Sequence, residues 1–199
     1  MTYGQGIAMH EKQIFGEYYA EREPVNLGQL KIPMTKHNET GIRPCHDIYV
    51  GSGESGILTI KRLRKPSYGE RWPIGGAVYR GYPLRESIEK TLEREIGIKT
   101  DGCPAIMLGN ARILSNFDRE ESGIGMDSTI SVFYVEAESG LKIEDIITDN
   151  DHAEPLFTTS EELRDDFLDS LHPYVRDFLP IAVEIYEKRM EHISKFSRL

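Results

Sequence analysis

The sequence has few cysteines: only Cys45 and Cys103 occur among its 199 residues. Two cysteines provide neither a disulfide framework nor the spacing of a metal-binding cysteine motif, so we expect a reducing, cytoplasmic environment. The sequence also lacks any run of about 18 or more apolar residues, and its N-terminus lacks a basic stretch followed by an apolar one. We therefore expect neither a membrane partner nor export.

An excess of basic residues is also absent, because 24 lysines and arginines face 33 aspartates and glutamates, giving a net charge of -9. A nucleic-acid-binding surface usually presents basic side chains to the phosphates, so we expect no nucleic-acid partner. A small nucleotide held by local arginines and lysines is compatible with this charge. Hydrophobic residues make up 39% of the chain and charged residues 29%, proportions that argue against wholesale disorder.

The length indicates one domain with extensions, and no internal repeat or low-complexity tract divides the chain. We predict an N-terminal arm at residues 1–40, a main domain at residues 41–165 and a C-terminal helical extension at residues 166–199. The extension contains a predicted helix at residues 173–196, since its apolar residues recur at helical spacing, and Pro180 is expected to bend it. Because the arm and this helix carry apolar residues that a lone core would leave exposed, we predict a homodimer.

Local patterns predict the elements of the main domain. Residues rich in β-branched and aromatic side chains at 46–50 and 57–63 flank a loop of glycine and serine, a pattern typical of a β-hairpin. A helix is predicted from Pro83, since proline suits the first helical turn, to Gly97. The other predicted features are a helix at residues 9–20, strands at 105–114, 129–137 and 155–157, a mobile lid loop at 116–128 and a helix that begins at Ser160.

The predicted helix after Pro83 carries one carboxylate in an unusual place. At about 100° per residue, its apolar residues form one stripe that faces the core: Leu84, Ile88, Leu92 and Ile96. Glu95 lies about 20° from the first of these, inside the stripe, and in the last turn, where the helix dipole disfavours negative charge. Such a carboxylate needs a compensating cation, either an arginine or lysine partner or a metal ion. The other glutamates lie on the opposite, solvated face: Glu86, Glu89 and Glu93.

The segment from Gly76 to Ile98 resembles the Nudix box, G-x5-E-x7-R-E-U-x-E-E-x-G-U, in which U is aliphatic. The glycines, both aliphatic positions and the last glutamate, Glu95, match this pattern. Four other positions of the pattern are replaced. Tyr82 stands at the first glutamate, Lys90 at the arginine and Thr91 at the glutamate that follows it. Arg94 stands at the first glutamate of the final pair. The resemblance implies the Nudix fold, an α/β (α+β) architecture with a mixed β-sheet sandwiched between α-helices.

The replaced positions bear on the chemistry. In ordinary Nudix enzymes a carboxylate cluster binds magnesium ions and helps to activate water for attack on a pyrophosphate phosphorus. One branch of the superfamily, the GDP-mannose mannosyl hydrolases, also lacks much of that cluster and cleaves at the sugar carbon. This chain is similar to that branch in its first strands, which have an aspartate (Asp47) and then a Lys-Arg pair followed by a proline (Lys61-Arg62 and Pro66). It is also similar at the first glycine of the glycine pair (Gly75) and at the last glutamate of the box (Glu95). A later pair that ends in histidine, Asp151-His152, matches as well.

The resemblance to that branch implies a metal site and a base. Magnesium, or manganese in its place, would be held by the Gly75 carbonyl, Glu95 and Asp151, and would neutralise the diphosphate as it leaves. His152 would take a proton from the attacking water, since histidine titrates near neutrality.

The same resemblance implies how the substrate is bound. Arg62 and Lys90 would bind phosphate oxygens, and Asp47 would orient the nucleotide or the sugar. The chain departs from that branch at Ala77 and Lys90, where the branch has arginines, and at Asp151, where it has glutamine. These departures concern the phosphate contacts and the metal ligands.

Three interpretations of function follow from the sequence. The favoured one is hydrolysis of a small nucleotide sugar, similar to GDP-mannose, with water attacking the sugar carbon. The second is a divergent diphosphohydrolase that attacks phosphorus, with Glu89 or Glu93 recruited beside Glu95. The third is an inactive nucleotide-binding or regulatory module that kept the fold. Each site residue also has a purely structural explanation, such as an ion pair for Asp47 or a surface turn for Asp151.

Overall fold

The computed structural model describes residues 8–19, 42–53, 55–65, 67–79, 82–100, 104–115, 126–137, 141–148 and 150–196. The strands in this part of the chain are β1 (Ala8–Tyr19), β2 (Arg43–Ser52), β3 (Gly56–Arg62), β4 (Arg71–Trp72), β5 (Ile74–Ala77), β6 (Ala105–Ser115), β7 (Met126–Glu136) and β8 (His152–Thr158). The α-helices are α1 (Leu84–Ile96), α2 (Asp165–Ser170) and α3 (Pro173–Phe196), and a short 3-10 helix spans Ile143–Asp145.

The strands form one mixed sheet. Its order is β1-β6-β7-β2-β3-β4, with β5 paired to β2 and β8 paired to β3. Two neighbouring pairs are parallel, β1 with β6 and β2 with β7, and the other pairs are antiparallel. The predicted hairpin is confirmed, because β2 and β3 pair from Val50 opposite Leu58 to Ser52 opposite Gly56.

Helices cover both faces of this sheet. Strand β2 contacts both helical layers because its successive side chains point to opposite sides. On one side, Ile48 and Val50 belong to the core cluster that contains the apolar stripe of α1: Ile88, Leu92 and Ile96. On the other side, Tyr49 belongs to the cluster that contains the buried face of α3: Tyr174, Val175, Phe178, Leu179, Ala182 and Val183. The predicted α/β fold, a mixed sheet between helices, is confirmed.

Helix α1 matches its sequence prediction at both ends. It begins after Pro83 and ends at Gly97, whose φ of 71° lies in the left-handed region that glycine adopts without strain. The amides of Gly97 and Ile98 donate to the carbonyls of Glu93 and Leu92, which closes the last turn. The helix therefore presents its C-terminal residues at a defined place beside the sheet.

The predicted helix at residues 9–20 is wrong, because this segment forms β1. It runs parallel to β6, from Ala8 opposite Ile106 to Tyr19 opposite Leu114, with an irregularity between Met9 and Ile14. The strand conformation wins because the edge of β6 offers backbone donors and acceptors over its whole length.

The segment after β8 also differs from its prediction. The helix expected to begin at Ser160 begins at Asp165. The Glu162 carboxylate accepts a hydrogen bond from the Thr159 amide at 2.7 Å, which holds residues 159–162 in a turn instead of a helix. The strand expected at residues 155–157 is longer and spans His152–Thr158.

The C-terminal helix is confirmed, since α3 spans Pro173–Phe196 with Pro180 inside it. Within the described ranges, no helix combines the length and the hydropathy that a membrane-spanning helix needs. Residues 116–125 of the predicted lid lie outside the described residues. The domain boundaries after residues 40 and 165 and the homodimer stay predictions.

Candidate functional site

One cavity collects most of the side chains that the sequence singled out. Residues of β2, β3, β5, α1 and the start of β8 line it. They include six of the seven predicted site residues: Asp47, Arg62, Gly75, Glu95, Asp151 and His152. Polar groups from distant parts of a sequence that line one concave surface are the geometry expected of a binding site.

Asp47 is held at the inner wall of this cavity. Its residue is 4% exposed, and its Oδ2 atom accepts hydrogen bonds from Trp72 Nε1 at 3.1 Å and from the Tyr174 hydroxyl at 2.8 Å. Burial raises the pKa of Asp47 to about 6, although the Tyr174 hydrogen bond, the Arg62 charge and the Trp72 hydrogen bond oppose this rise. The carboxylate is therefore fixed in position by neutral donors and lies close to a cation.

Arg62 and His152 are direct neighbours in the sheet. Arg62 ends β3, His152 begins β8, and the two residues are opposite each other in the pairing of these strands. The Arg62 guanidinium carbon lies 5.6 Å from the centre of the Trp72 ring, a stacking contact that orients the guanidinium. His152 is 8% exposed. The pairing thus brings a cation and an imidazole to the same wall of the cavity.

Position 75 requires glycine because a side chain there would come too close to strand β2. Gly75 lies opposite Asp47 in the pairing of β5 with β2, and a Cβ atom at this position would lie 2.0 Å from Asp47 Oδ1 and 2.6 Å from the His46 carbonyl oxygen. Only glycine fits there without a shift of the strand. The Gly75 amide points to α1 and donates a hydrogen bond to Glu95 Oε2 at 3.2 Å.

Glu95 has the compensating cation that its position demanded. Its side chain is 5% exposed, and its Oε1 atom lies 2.5 Å from Nη2 of Arg94. The second carboxylate oxygen accepts the Gly75 amide. The basic partner, one of the two alternatives that the helix pattern left open, is therefore present.

Asp151 is also paired with an arginine. Its Oδ1 atom lies 2.8 Å from Nε of Arg64, and its backbone carbonyl accepts a hydrogen bond from the Leu63 amide at 2.8 Å. These contacts join the turn before β8 to the end of β3. They place His152 at the cavity as the first residue after a fixed turn.

Lys90 is the predicted site residue that the structure does not bring to the cavity. Its Nζ atom lies 4.6 Å from the centre of the Tyr82 ring, and it lines a separate depression together with Glu86, Glu89, Glu93, Lys99 and Thr100. Its role as a phosphate ligand stays a prediction that this position does not support.

No protein-family model and no curated protein matches the sequence. Solved structures do match by shape. A MutT protein from Methanosarcina mazei Go1 matches with a TM-score of 0.52 and 17% identity, over 76% of this chain and 96% of that chain. The E. coli dihydroneopterin triphosphate pyrophosphohydrolase matches with a TM-score of 0.51 and 11% identity, over 72% of this chain and 94% of that chain.

A third match is a bifunctional NMN adenylyltransferase/ADP ribose pyrophosphatase from Francisella tularensis, solved with AMP and a manganese ion. Its TM-score is 0.52 and its identity is 16%, over 80% of this chain and 44% of that chain. This chain has the Nudix fold. At these identities the matches show the fold, and α1 is the helix whose sequence resembles the Nudix box.

Two altered positions of the Nudix box now have internal partners. Thr91 is buried, and its Oγ1 atom lies 2.8 Å from Nε2 of His46. Burial lowers the pKa of His46 to about 4, and the positive charge of Arg94 adds to this lowering. Arg94 itself pairs with Glu95. The Nudix box has a glutamate at each of these two positions. In this chain the Thr91 hydroxyl contacts the neutral imidazole of His46, and the Arg94 guanidinium contacts the Glu95 carboxylate.

The predicted ligand set does not fit a magnesium or manganese ion. Arg94 contacts Glu95 and Arg64 contacts Asp151, so each predicted carboxylate ligand already faces a cation. Within the described ranges, no group of three or more histidine, cysteine, aspartate or glutamate side chains is arranged to hold a metal ion.

The sequence motifs missed several lining residues. Arg43 lies at the start of β2, outside any motif, and nothing in the local pattern singled it out. Arg94 was visible only as a departure from the box. Cys45 also lines the cavity, and burial together with the Asp47 charge raises the pKa of its thiol to about 11. With these additions, the part of the lining that the structure describes has three arginines and three carboxylates: Arg43, Arg62, Arg94, Asp47, Glu95 and Asp151.

Proposed function

We propose that this protein hydrolyses a nucleoside diphosphate derivative, and that its substrate is a small nucleotide sugar, similar to GDP-mannose, whose sugar carbon is attacked by water. The observation that carries this proposal is the pairing of Arg62 with His152 at the wall of the cavity. A phosphate-binding cation beside an imidazole that can accept a proton is what displacement of a diphosphate by water requires.

The reaction can be written with groups of this chain. The oxygen of a water molecule forms a bond with the anomeric carbon, while His152 accepts the proton that this water loses. The bond between that carbon and the diphosphate oxygen breaks, and its electron pair stays on the diphosphate. Arg62 and Arg43, which both line the cavity, stabilise the negative charge that develops on the leaving group.

The arrangement favours attack at carbon over attack at phosphorus. Attack at phosphorus would need further carboxylates beside Glu95, and the two candidates lie in the separate depression, where Glu89 is 3.1 Å from Arg85 and Glu93 is 3.5 Å from Lys99. Departure of a diphosphate from carbon depends instead on positive charge at the leaving group, which the arginines of the cavity supply.

The structural matches support the coarser part of the proposal. The E. coli neighbour is a triphosphate pyrophosphohydrolase, and the Francisella tularensis neighbour includes an ADP ribose pyrophosphatase. Both names describe hydrolysis of phosphoanhydrides in nucleotide-like molecules. The finer choice, a nucleotide sugar cleaved at carbon, rests on the cavity of this chain and on the sequence resemblance.

The test is an end-point assay with a panel of nucleotide sugars that includes GDP-mannose, with the products separated. We expect free sugar and nucleoside diphosphate, and we expect His152→Ala to lower the rate by about a hundredfold or more. His192→Ala, an exposed histidine of α3, is the matched control and should leave the rate unchanged. Nucleoside monophosphate with sugar phosphate would indicate attack at phosphorus, and no turnover across the panel would indicate a binding module.

A further inference from the structure

We infer that the guanidinium of Arg94 takes the place of a divalent cation in this cavity, so that the site binds a diphosphate group without metal. This inference rests on the proposed function, because it concerns how the diphosphate of that substrate is held. It starts from the neighbouring positions Arg94 and Glu95, where the Nudix box has two glutamates.

The contacts of Glu95 involve both of its carboxylate oxygens. Glu95 Oε1 lies 2.5 Å from Arg94 Nη2, and Glu95 Oε2 accepts the Gly75 amide at 3.2 Å. Both carboxylate oxygens therefore have donors. A metal ion at Glu95 would have to displace a charge-assisted hydrogen bond to a side chain that is nearly buried.

The surroundings of Arg94 hold the guanidinium beside the cavity. A Cβ atom at Gly76 would lie 3.2 Å from Arg94 Nη2, so the missing side chain lets the guanidinium lie against β5. Its Cζ atom also lies 5.9 Å from the centre of the Tyr79 ring. The side chain remains 52% exposed. A guanidinium has five N–H donors, so a phosphate can be bound by Arg94 while Nη2 keeps its contact with Glu95.

The charge of the lining supports the same conclusion. Among the described residues, the cavity has three arginines and three carboxylates, so these charges balance. A glutamate at position 94, as in the Nudix box, would leave two arginines against four carboxylates. Such a lining would repel a diphosphate unless metal ions came with it, whereas the lining with Arg94 carries no net charge that opposes the anion.

The test is calorimetric titration of the full chain with inorganic pyrophosphate, first in EDTA and then in excess magnesium. We expect wild-type protein to bind in EDTA at least as tightly as in magnesium. Arg94→Gln should weaken binding in EDTA by about tenfold or more, the effect of losing a charged hydrogen bond. Arg94→Glu, which restores the box carboxylate, should bind pyrophosphate only with magnesium. The matched control is Arg164→Glu, at a side chain that is 78% exposed on the surface.

The outcomes separate this inference from the proposed function. Wild-type binding that requires magnesium, binding in neither buffer, or unchanged affinity in Arg94→Gln would each overturn the role of Arg94. Binding in EDTA without turnover of any nucleotide sugar would support that role while overturning the proposed reaction. Thermal melts establish that each variant folds. If Arg94→Glu does not fold, the comparison of buffers for wild type and Arg94→Gln decides the question.

Discussion

The Tyr174 hydroxyl donates a hydrogen bond of 2.8 Å to Asp47 Oδ2, which joins helix α3 to the central strand β2 at the inner wall of the cavity. The same oxygen accepts a hydrogen bond from the Trp72 indole at 3.1 Å, and the centres of the Trp72 and Tyr174 rings lie 5.1 Å apart. The C-terminal helix thus helps to fix a carboxylate of the candidate site. Stability and site geometry are coupled through this contact.

Replacement of Tyr174 by phenylalanine tests this coupling. The variant leaves the buried Asp47 carboxylate with one donor fewer, and we expect the free energy of unfolding to fall by about 1.5–3 kcal/mol. Urea denaturation measures the change. Tyr68→Phe is the control, because Tyr68 is 67% exposed. Equal losses in the two variants would contradict the role of the hydrogen bond.

Asp47 and His46 should give pH dependences of stability with opposite signs. Burial raises the pKa of Asp47 from 3.8 to about 6, so its contribution to stability is complete at low pH and is lost as the pH rises through about 6. Burial lowers the pKa of His46 from 6.5 to about 4, so its contribution is complete above 6.5 and is lost as the pH falls through about 4. The two effects oppose each other in the same pH range.

Single variants should separate these two effects. In Asp47→Asn the histidine effect remains, and stability should rise with pH between about 4 and 6.5, by on the order of 3 kcal/mol. In His46→Gln the aspartate effect remains, and stability should fall with pH between about 4 and 6. Chemical denaturation across this range measures both slopes. The same slope in both variants would be inconsistent with the buried environments described above.

The glycine pair offers a comparison of two neighbouring positions. Alanine at Gly75 would place a Cβ atom 2.0 Å from Asp47 Oδ1, whereas alanine at Gly76 would place one 3.2 Å from the end of the Arg94 side chain. We expect Gly75→Ala to lower the free energy of unfolding by about 1–3 kcal/mol, as overpacking does, and Gly76→Ala to lower it by less. Thermal or urea unfolding of both variants measures these losses, and equal losses at the two positions would contradict the close approach at Gly75.

Arg62 should not be replaceable by lysine. A guanidinium binds two phosphate oxygens at once and stacks on Trp72, whereas an ammonium group is a point charge. We expect Arg62→Lys to lower kcat/KM by about tenfold or more. The adjacent Lys61 pairs with the exposed Glu154 at 3.1 Å, so Lys61→Met is the matched control and should change kcat/KM by less than about twofold. Similar effects of the two substitutions would contradict the assignment of Arg62.

Local sequence patterns were sufficient where the structure depends on local chemistry. The apolar stripe of α1, with Pro83 before it and Gly97 after it, fixed the position of that helix, and the same stripe exposed Glu95 as a carboxylate that needs a cation. The resemblance to the mannosyl hydrolases also implied that Asp47 and His152 belong to one site, and both line the cavity.

Contacts between distant or adjacent residues were not predictable in this way. Strand β1 forms because the edge of β6, between 95 and 98 residues later in the chain, pairs with it. The contact between Arg94 and Glu95 joins adjacent helical residues, which do not face each other on an ideal helix. It depends on the place of β5 beside α1, where the Gly75 amide also reaches the same carboxylate. The helix pattern therefore left a basic partner and a metal ion as alternatives for Glu95, and only the structure identifies Arg94 as its neighbour.

Hydrolysis in water enriched in oxygen-18, with mass analysis of both products, tests most directly whether water attacks the sugar carbon. Attack at carbon puts the heavy oxygen on the free sugar and leaves the nucleoside diphosphate unlabelled, and this is the result that we predict for the wild-type protein. Heavy oxygen on a phosphate-containing product would show attack at phosphorus and would contradict the proposed reaction.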